Sequence, residues 1–517
     1  MSSTAVPDPS GSSSADAQPS MHRTLTWRDG FVFALNMPIG LFLTLGYTVG
    51  AIGGWTAISI WGVACFLAFL QNTIFSEMAA MMPDSTGGIS VYAYQGWRRH
   101  FAPLGAVSAF GYWMGWSLSL SVEGVVLGEL ITQAFFPDAD VTVQLPIGHE
   151  LPLPYLFAIG AILAAWALNY FGISIASGVA KVTGTLLIIG LLILVVGPFL
   201  SPGADIDLSR LSFGGDSSPF GWREIVVWFY VTAWTTYGTE VCASFAAEYR
   251  DPVRDTRKAL RVGAAFILGL YILVPTMVVG SIGEDTVGQN PVTYIGIAFQ
   301  RILGPYAWLG QVPVMAAFVI AMMTATADGG RSLCGIANSG GTIRQLGKIN
   351  RFGVPGRALT TDMVINVFVL IILGEPIAIL LASNLGYLAA ITLAVSAFLL
   401  LRRDRPHAHR PIRLSRIWTP IAYSLIAVNM FAIIVGVASP GLTGYGGPIE
   451  TVVGIGILLF ACVLWWYRQS VQERSRIRWR EPDDEPDTAR GRCSAGPPSI
   501  EADTDPEAPV ADTDPMR

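Results

Sequence analysis

Residues 225–260 read IVVWFYVTAWTTYGTEVCASFAAEYRDPVRDTRKAL, and the fold turns on how this stretch is read. It opens as an apolar, aromatic-rich helix fit for lipid. Thr235, Thr236, Tyr237, Gly238 and Thr239 interrupt it, Glu240 follows at once, and the apolar run resumes through Phe245. It ends at Glu248, Arg250 and the helix-stopping Asp251-Pro252. In hydrocarbon an unpaired backbone group is expensive, so an interrupted spanning helix needs protein neighbours or a wet cavity around the break. An acid beside such a break is costly too and marks a functional site. The competing reading is a kinked helix whose hydroxyls bond back to the preceding turn. A second interrupted segment near the N-terminus favours the site.

That second segment is the first span, residues 29–50, broken early by Asn36-Met37-Pro38-Ile39-Gly40. Proline removes a backbone donor and clashes with the preceding turn, while glycine permits local unwinding. Between the two broken segments lie spans at 55–82, 104–136, 151–170 and 173–200, with an interfacial helix at 84–102. Span three is long enough to tilt and carries Tyr112, Glu123 and Glu129. After the broken sixth span come 262–282, 305–327, 358–373, 377–401, 418–438 and 448–466. Span eight runs into Asp328-Gly329-Gly330-Arg331, with a polar, basic loop at 332–357. The expectation is an all-α polytopic membrane protein of about twelve transmembrane helices, its bundle at 28–468. Residues 1–27 read as a disordered cytoplasmic tail, and 469–517 as a second, largely acidic one.

Composition agrees: 52% of the residues are hydrophobic and 13% charged, about half the charge of a typical soluble domain. The net charge of -5 implies little, because the acids gather in the C-terminal tail. The five cysteines are scattered without metal-ligand spacing, and the five histidines fall outside the apolar runs, which excludes haem ligation and an intramembrane histidine relay. No signal peptide is visible. With the N-terminus inside, the basic clusters around Arg98, Arg250–Arg261, Arg344–Arg357 and Arg402–Arg416 all lie inside, while Arg210, Arg223 and Arg301 fall outside. The positive-inside rule therefore places both termini in the cytoplasm of a multi-pass plasma-membrane protein.

The two broken spans stand five helices apart. An odd number of helices per repeat inverts the second copy, and two inverted five-helix repeats bring their breaks together near the midplane, where transporters hold substrate. Half-helix ends offer amides to a carboxylate and carbonyls to an ammonium, which suits a zwitterionic amino acid.

Three stretches carry a family likeness. The first is Glu77-Met78-Ala79-Ala80-Met81-Met82-Pro83 with Gly87-Gly88-Ile89-Ser90-Val91-Tyr92. The second is Gly238-Thr239-Glu240 with Glu248-Tyr249-Arg250-Asp251-Pro252. The third runs from Arg331 through Ala337-Asn338-Ser339-Gly340 to Gly353-Val354-Pro355 and Arg357-Ala358-Leu359. In this order the chain resembles the amino acid–polyamine–organocation (APC) superfamily of permeases over roughly residues 30–465. The resemblance implies the LeuT-like fold, a five-plus-five inverted repeat with two peripheral helices. It implies that Pro38, Ile39, Gly40 and Leu41, with Thr235, Thr236, Tyr237 and Gly238, bind the substrate backbone. Trp234 falls where some family antiporters place an aromatic gate, and Tyr112 matches a family aromatic near the site; packing is the alternative for both.

The chain departs from that pattern twice. Many members have Gly-Ser-Gly where it has Pro38-Ile39-Gly40, and many proton-coupled members carry a lysine where Gly190 stands, nine residues after Lys181. A lysine switch is therefore not expected, and Glu123, Glu240 and Asp328 remain as coupling candidates. For Glu123 the alternative is a satisfied acid near the outer helix end. For Asp328 it is a cytoplasmic helix-end acid paired with Arg331, the reading preferred; Glu77 and Glu248 read as interfacial structural acids.

The function expected is a secondary active transporter moving an amino acid or related amine across the plasma membrane, by solute exchange or proton coupling. A polyamine or other organic-amine permease is the alternative. A small neutral or apolar amino acid suits the apolar, aromatic and hydroxyl wall, with a cationic substrate open through Glu123 or Glu240. A membrane-embedded enzyme would need a nucleophile–base pair or metal ligands at depth, a sensor would need a soluble domain, and ATP-driven pumping would need a GxxxxGK[ST] loop. None is present, so no enzyme, cofactor, metal or nucleic-acid partner is expected; the partners are the substrate, the bilayer, and a co-transported proton or exchanged solute.

Overall fold

Apolar runs in hydrocarbon can pair their backbone only within a helix or a closed barrel, and here they are helical. The computed structural model describes residues 23–480 apart from 36, 86, 137, 145–149, 202–204, 215–220, 292, 374–375 and 444–447. Of the expected tails at 1–27 and 469–517, residues 1–22 and 481–517 therefore lie outside the described residues, as does Asn36 of the first break.

Span one is split into α1 (Trp27–Ala34) and α2 (Pro38–Ile52). Then follow α3 (Gly54–Met81), α4 (Gly88–Ser117) and α5 (Ser119–Phe135). Phe101 leaves helical geometry at φ −155° and ψ 92°, two residues before Pro103, so α4 is an interfacial helix joined to the first half of span three. A small antiparallel hairpin, β1 (Thr142–Gln144) with β2 (Glu150–Pro152), leads to α6 (Leu153–Tyr170) and α7 (Ile173–Leu200). Span six begins as α8 (Trp222–Tyr237) and passes directly into a 3₁₀ helix, Gly238–Glu248. Span seven is α9 (Pro252–Ile282), longer than expected because Pro252 takes the first helical turn and the Asp251 carboxylate accepts from the Arg254 amide at 3.1 Å.

The expected loop after span seven holds two short helices, α10 (Glu284–Gln289) and α11 (Tyr294–Leu303). Span eight, α12 (Trp308–Asn338), does not stop at Ala327; it continues through Asp328 and Arg331 to Asn338. The bundle closes with α13 (Gly356–Leu373), α14 (Pro376–Asp404), α15 (Trp418–Ala438) and α16 (Pro448–Tyr467). Ten segments among the described residues are individually long and apolar enough to cross a bilayer. The divided span six and α13 make up the difference from the expected twelve.

The helix packing repeats itself under a shift of five spans. Span two packs on span seven (α3 on α9), and spans three and eight pack on each other (α4 and α5 on α12). Span three lies along span ten (α4 on α14), and its counterpart pair, eight and five, packs likewise (α12 on α7). Spans three and four (α5, α6) match eight and nine (α12, α13), while one and seven (α1, α9) match six and two (α8, α3). A pair list that maps onto itself in this way is that of a five-plus-five repeat. Helices α15 and α16 sit outside it, against α14.

The packed body extends slightly beyond 28–468. Leu25 pairs with the end of span six: its amide donates to Glu248 O at 3.0 Å and its carbonyl accepts from the Arg250 amide at 2.8 Å. At the other end Trp479 stacks on Phe101 with ring centroids 5.8 Å apart, and its carbonyl accepts from the Ala102 amide at 3.0 Å, just after the α4 bend.

Candidate substrate site

The two interrupted spans touch. A Cβ on Gly40 would lie 2.7 Å from Thr235 Cβ, and one on Gly238 would lie 2.4 Å from the end of the Met37 side chain. Both glycines therefore answer to close approach. Neither needs unusual backbone freedom: Gly238 is right-handed, at φ −61°.

The breaks themselves differ from expectation. In span one the helix is interrupted before Pro38, and Pro38-Ile39-Gly40-Leu41 form the first turn of α2. Proline is tolerated there because the first helical N–H is unpaired in any case, but the helix end thereby lacks one amide for a substrate carboxylate. In span six nothing unwinds. Thr235 and Thr236 donate their hydroxyls to Thr232 O, each at 2.9 Å, as the kinked-helix reading anticipated. The winding then tightens from i→i+4 to i→i+3 at Gly238, and eleven residues of 3₁₀ helix follow, well past the usual three or four. Such a change leaves one carbonyl without its helical amide. The Tyr271 hydroxyl from α9 reaches Thr235 O at 2.8 Å and is also bonded to Met37 O, so one side chain serves the carbonyls of both breaks.

Between the breaks lies a partly open pocket lined by Met37, Ile39, Gly40, Leu43, Gly115, Trp116, Ser119, Glu123, Trp234, Thr235 and Tyr387. Of the expected contact residues, Ile39, Gly40, Trp234 and Thr235 line it. Pro38, Leu41, Tyr112, Thr236, Tyr237 and Gly238 do not; they are buried in the packing behind it. Tyr237, for instance, faces away to span eleven, its hydroxyl donating to Asn429 Oδ1 at 2.9 Å. On a helix only about one residue in three or four faces a given side, so a run of four consecutive residues cannot all reach the cavity.

The coupling candidates separate as well. Glu123 lines the cavity, is 5% exposed, and has one carboxylate oxygen, Oε2, with no hydrogen-bond partner. Glu240 sits behind the wall: its Oε1 accepts from Trp116 Nε1 at 3.1 Å and from the Tyr387 hydroxyl at 2.5 Å, while Oε2 has no partner. Both donors are cavity residues. Asp328 does not line the cavity, and it is not a helix-end acid paired with Arg331. It is fully buried within α12, and Arg331 forms a buried ion pair with Glu248, its remaining nitrogen donating to Ala327 O at 2.9 Å. Continuation of the helix past Ala327 moves both residues into the interior. Glu77 accepts from Arg402 at 2.6 Å and from the Leu414 amide at 2.8 Å, and forms an ion pair with Arg410 at 3.3 Å.

Gly190 packs where a Cβ would meet Pro313 Cβ at 2.6 Å, which leaves no room for a lysine. Lys181 instead reaches Asp29 of α1 at 2.6 Å. Sequence reasoning missed Met37, Leu43, Gly115, Trp116, Ser119 and Tyr387 as lining residues. Trp116 stands one helical turn from Tyr112, and Tyr387 follows Asn384 in an otherwise apolar span; both were available signals.

A family model for amino acid permeases matches residues 25–467, most of the chain and the whole five-plus-five bundle. The chain belongs to the amino acid permease family. Curated relatives agree with the match. RocE of Bacillus subtilis, an amino-acid permease, is 26% identical over 67% of this chain and 72% of its own length. The lysine-specific permease LysP of Lactococcus lactis is 24% identical over 75% and 77%. The D-serine/D-alanine/glycine transporter of Escherichia coli is 21% identical over 81% and 90%. This permease is thus a multi-pass membrane transporter of the APC superfamily and not an enzyme. Its cavity lies where inverted repeats hold their substrate, between the two broken spans.

Proposed function

We propose that this permease carries an amino acid whose amino group is received by Glu123, with its side chain against Met37, Ile39, Leu43, Trp116 and Trp234. The observation that carries the reading is the charge balance of the cavity wall, where, among the described residues, Glu123 is the one charged lining residue and no base accompanies it. A buried carboxylate needs a positive partner, and a substrate ammonium supplies one. The apolar wall favours small uncharged side chains. The same acid favours a substrate of net positive charge, and the names of the relatives span both classes. Uptake of labelled amino acids and amines into proteoliposomes, with Glu123→Gln beside the wild type, tests this. At least about a tenfold rise in KM is expected for the variant. Competition by sugars or inorganic ions alone, with no response to amino acids or amines, overturns it.

Coupling runs through Glu240 as proton carrier. Desolvation disfavours the charged form of a carboxyl group, and a free carboxylate oxygen can accept a proton. Trp116 and Tyr387 join Glu240 to the cavity, so its protonation state is felt where substrate sits. Glu240→Gln should transport with a flattened pH profile and fail to concentrate substrate on an imposed proton gradient. An unchanged profile would leave solute exchange as the mechanism. The membrane is the plasma membrane, with both termini cytoplasmic, a reading supported by the basic residues gathered in one set of loops.

A further inference from the structure

Close to Glu240 and Tyr387, spans three, six and eight turn a second set of polar groups toward one another. Asp328, in α12, has no exposed surface, and among the described residues neither of its carboxylate oxygens has a hydrogen-bond partner. Ser244, in the 3₁₀ segment of span six, lies against this carboxylate and also against the Tyr112 hydroxyl of α4. Ser332, one turn further along α12, lies against the same carboxylate. Tyr112, Ser244 and Ser332 are themselves fully buried, and their hydroxyl oxygens also lack partners.

The charged groups that face Asp328 are Arg331, Asp362 and Glu240. Arg331 does not neutralise it, because its guanidinium is directed at Glu248 and Ala327 O. Asp362, in α13, accepts from Trp113 Nε1 at 2.8 Å and keeps its second oxygen without a partner. Glu240 is another acid, so the potential around Asp328 is negative and comes from three different spans. A buried carboxylate in that setting must be neutralised by a proton or by a cation. The groups around it decide between the two. Those without a partner of their own, Tyr112, Ser244 and Ser332, offer hydroxyl oxygens beside the carboxylate, which is the donor set of a hard cation. One carboxylate completed by hydroxyls suits a monovalent ion better than a divalent one, which collects several carboxylates.

We infer that Asp328, Tyr112, Ser244 and Ser332 form a sodium-ion site between spans three, six and eight. The site rests on the transporter reading above only for its consequence, since an ion can bind whether or not the substrate is an amino acid. That consequence follows from Ser244. It belongs to the tightened half of span six, the same segment that begins at Gly238 beside the cavity, so an ion holding Ser244 to Asp328 fixes the winding of the helix that lines the substrate site. Linkage then requires sodium to raise substrate affinity and substrate to raise sodium affinity by the same factor.

The test uses the purified full-length protein. Thermal unfolding is followed in sodium chloride and in choline chloride at equal ionic strength, with potassium and lithium as further arms. Sodium is expected to raise the wild-type midpoint saturably, and Asp328→Asn should abolish the response. Should that variant fold poorly, Tyr112→Phe and Ser332→Ala are expected to fold and to shift the sodium titration to higher concentration. In proteoliposomes, sodium should lower the substrate KM by about fivefold or more, the lower range of such couplings. A wild-type midpoint and uptake indifferent to sodium overturn the site and leave a proton on Asp328. An undiminished sodium response in Asp328→Asn overturns it equally. If sodium stabilises the wild type through Asp328 while no amino acid or amine is carried, the ion site stands and the substrate reading falls.

Discussion

Between Ala34 and Pro38 the first span leaves its helix, whereas at Tyr237 the sixth passes from α to 3₁₀ winding without a gap. The two occupy equivalent places in the repeat. Their difference lies in their residues. Proline lacks an N–H and clashes with the preceding turn, so Pro38 favours the start of a new helix, although α9 carries Pro275 in its interior. The sixth span has no proline between Trp222 and Glu248, and its glycine permits a break without requiring one. Both solutions leave a carbonyl facing the partner span, and Tyr271 meets both. They are anchored unequally too. The end of span six is tied to α12 by the buried Glu248–Arg331 pair, whereas span one is tied to α7 by Asp29 and a Lys181 whose side chain is 57% exposed. The break in span one is set by its own proline, whereas the winding of span six is held by its neighbours.

If span six depends on its anchor, Arg331→Met should have the largest effect of any change discussed. It strands a buried carboxylate, at a cost of about 3–5 kcal/mol. Size-exclusion chromatography should show loss of the monodisperse protein, with partial recovery when Glu248 is also made Leu; a folded, active single variant would break the contrast. Gly40→Ala comes next. The new methyl meets Thr235 Cβ at 2.7 Å, a contact that only movement of one span can relieve. Overpacking of about 1–3 kcal/mol predicts roughly a tenfold to hundredfold loss of kcat/KM. Gly238→Ala is the control, because its methyl clashes chiefly with the flexible end of Met37 and meets the Trp116 ring only at 3.1 Å, and it should lose less.

Tyr271→Phe sharpens the comparison from the other side, since it removes the donor shared by the two breaks. Met37 O keeps the Gly40 amide at 2.9 Å, so the loss falls on Thr235 O, and an unpaired buried carbonyl costs about 1–3 kcal/mol. The expected result is a rise in KM larger than the fall in kcat, together with a lowered unfolding midpoint. An effect on stability without any change in KM would show that the hydroxyl serves packing alone. The smallest effect belongs to Lys181→Ala. The lysine end of this pair is open to solvent, which limits its contribution to about 1 kcal/mol, and the buried Asp29 keeps its bonds from the Thr26 amide and hydroxyl. Uptake should stay within about twofold of wild type, and a severe loss would mean that span one, too, hangs on its anchor.

The number of spans, the two interruptions and their five-span separation were legible because each is local: apolar length, a proline, a cluster of hydroxyls and one acid. The polar breaks also lie on the pair of spans that meet at the cavity. What could not be read was which residues of each break face it. Ile39, Gly40 and Thr235 do, while Leu41, Thr236 and Tyr237 lie in the packing behind. Facing is fixed by how each helix is rotated against its neighbours, which no local signal records. The same holds for Asp328, whose position after an apolar run and before Gly329-Gly330 reads as a helix end. Only the contact of α12 with the end of span six, through Arg331 and Glu248, carries the helix onward and buries the acid. The sequence by itself determined that this chain is a broken-helix membrane bundle, because backbone pairing in hydrocarbon admits few alternatives. Tertiary structure alone decided that Tyr387, Trp116 and Glu240 form one chain of contacts to the cavity, because residues 124 to 271 positions apart meet only when spans three, six and ten pack.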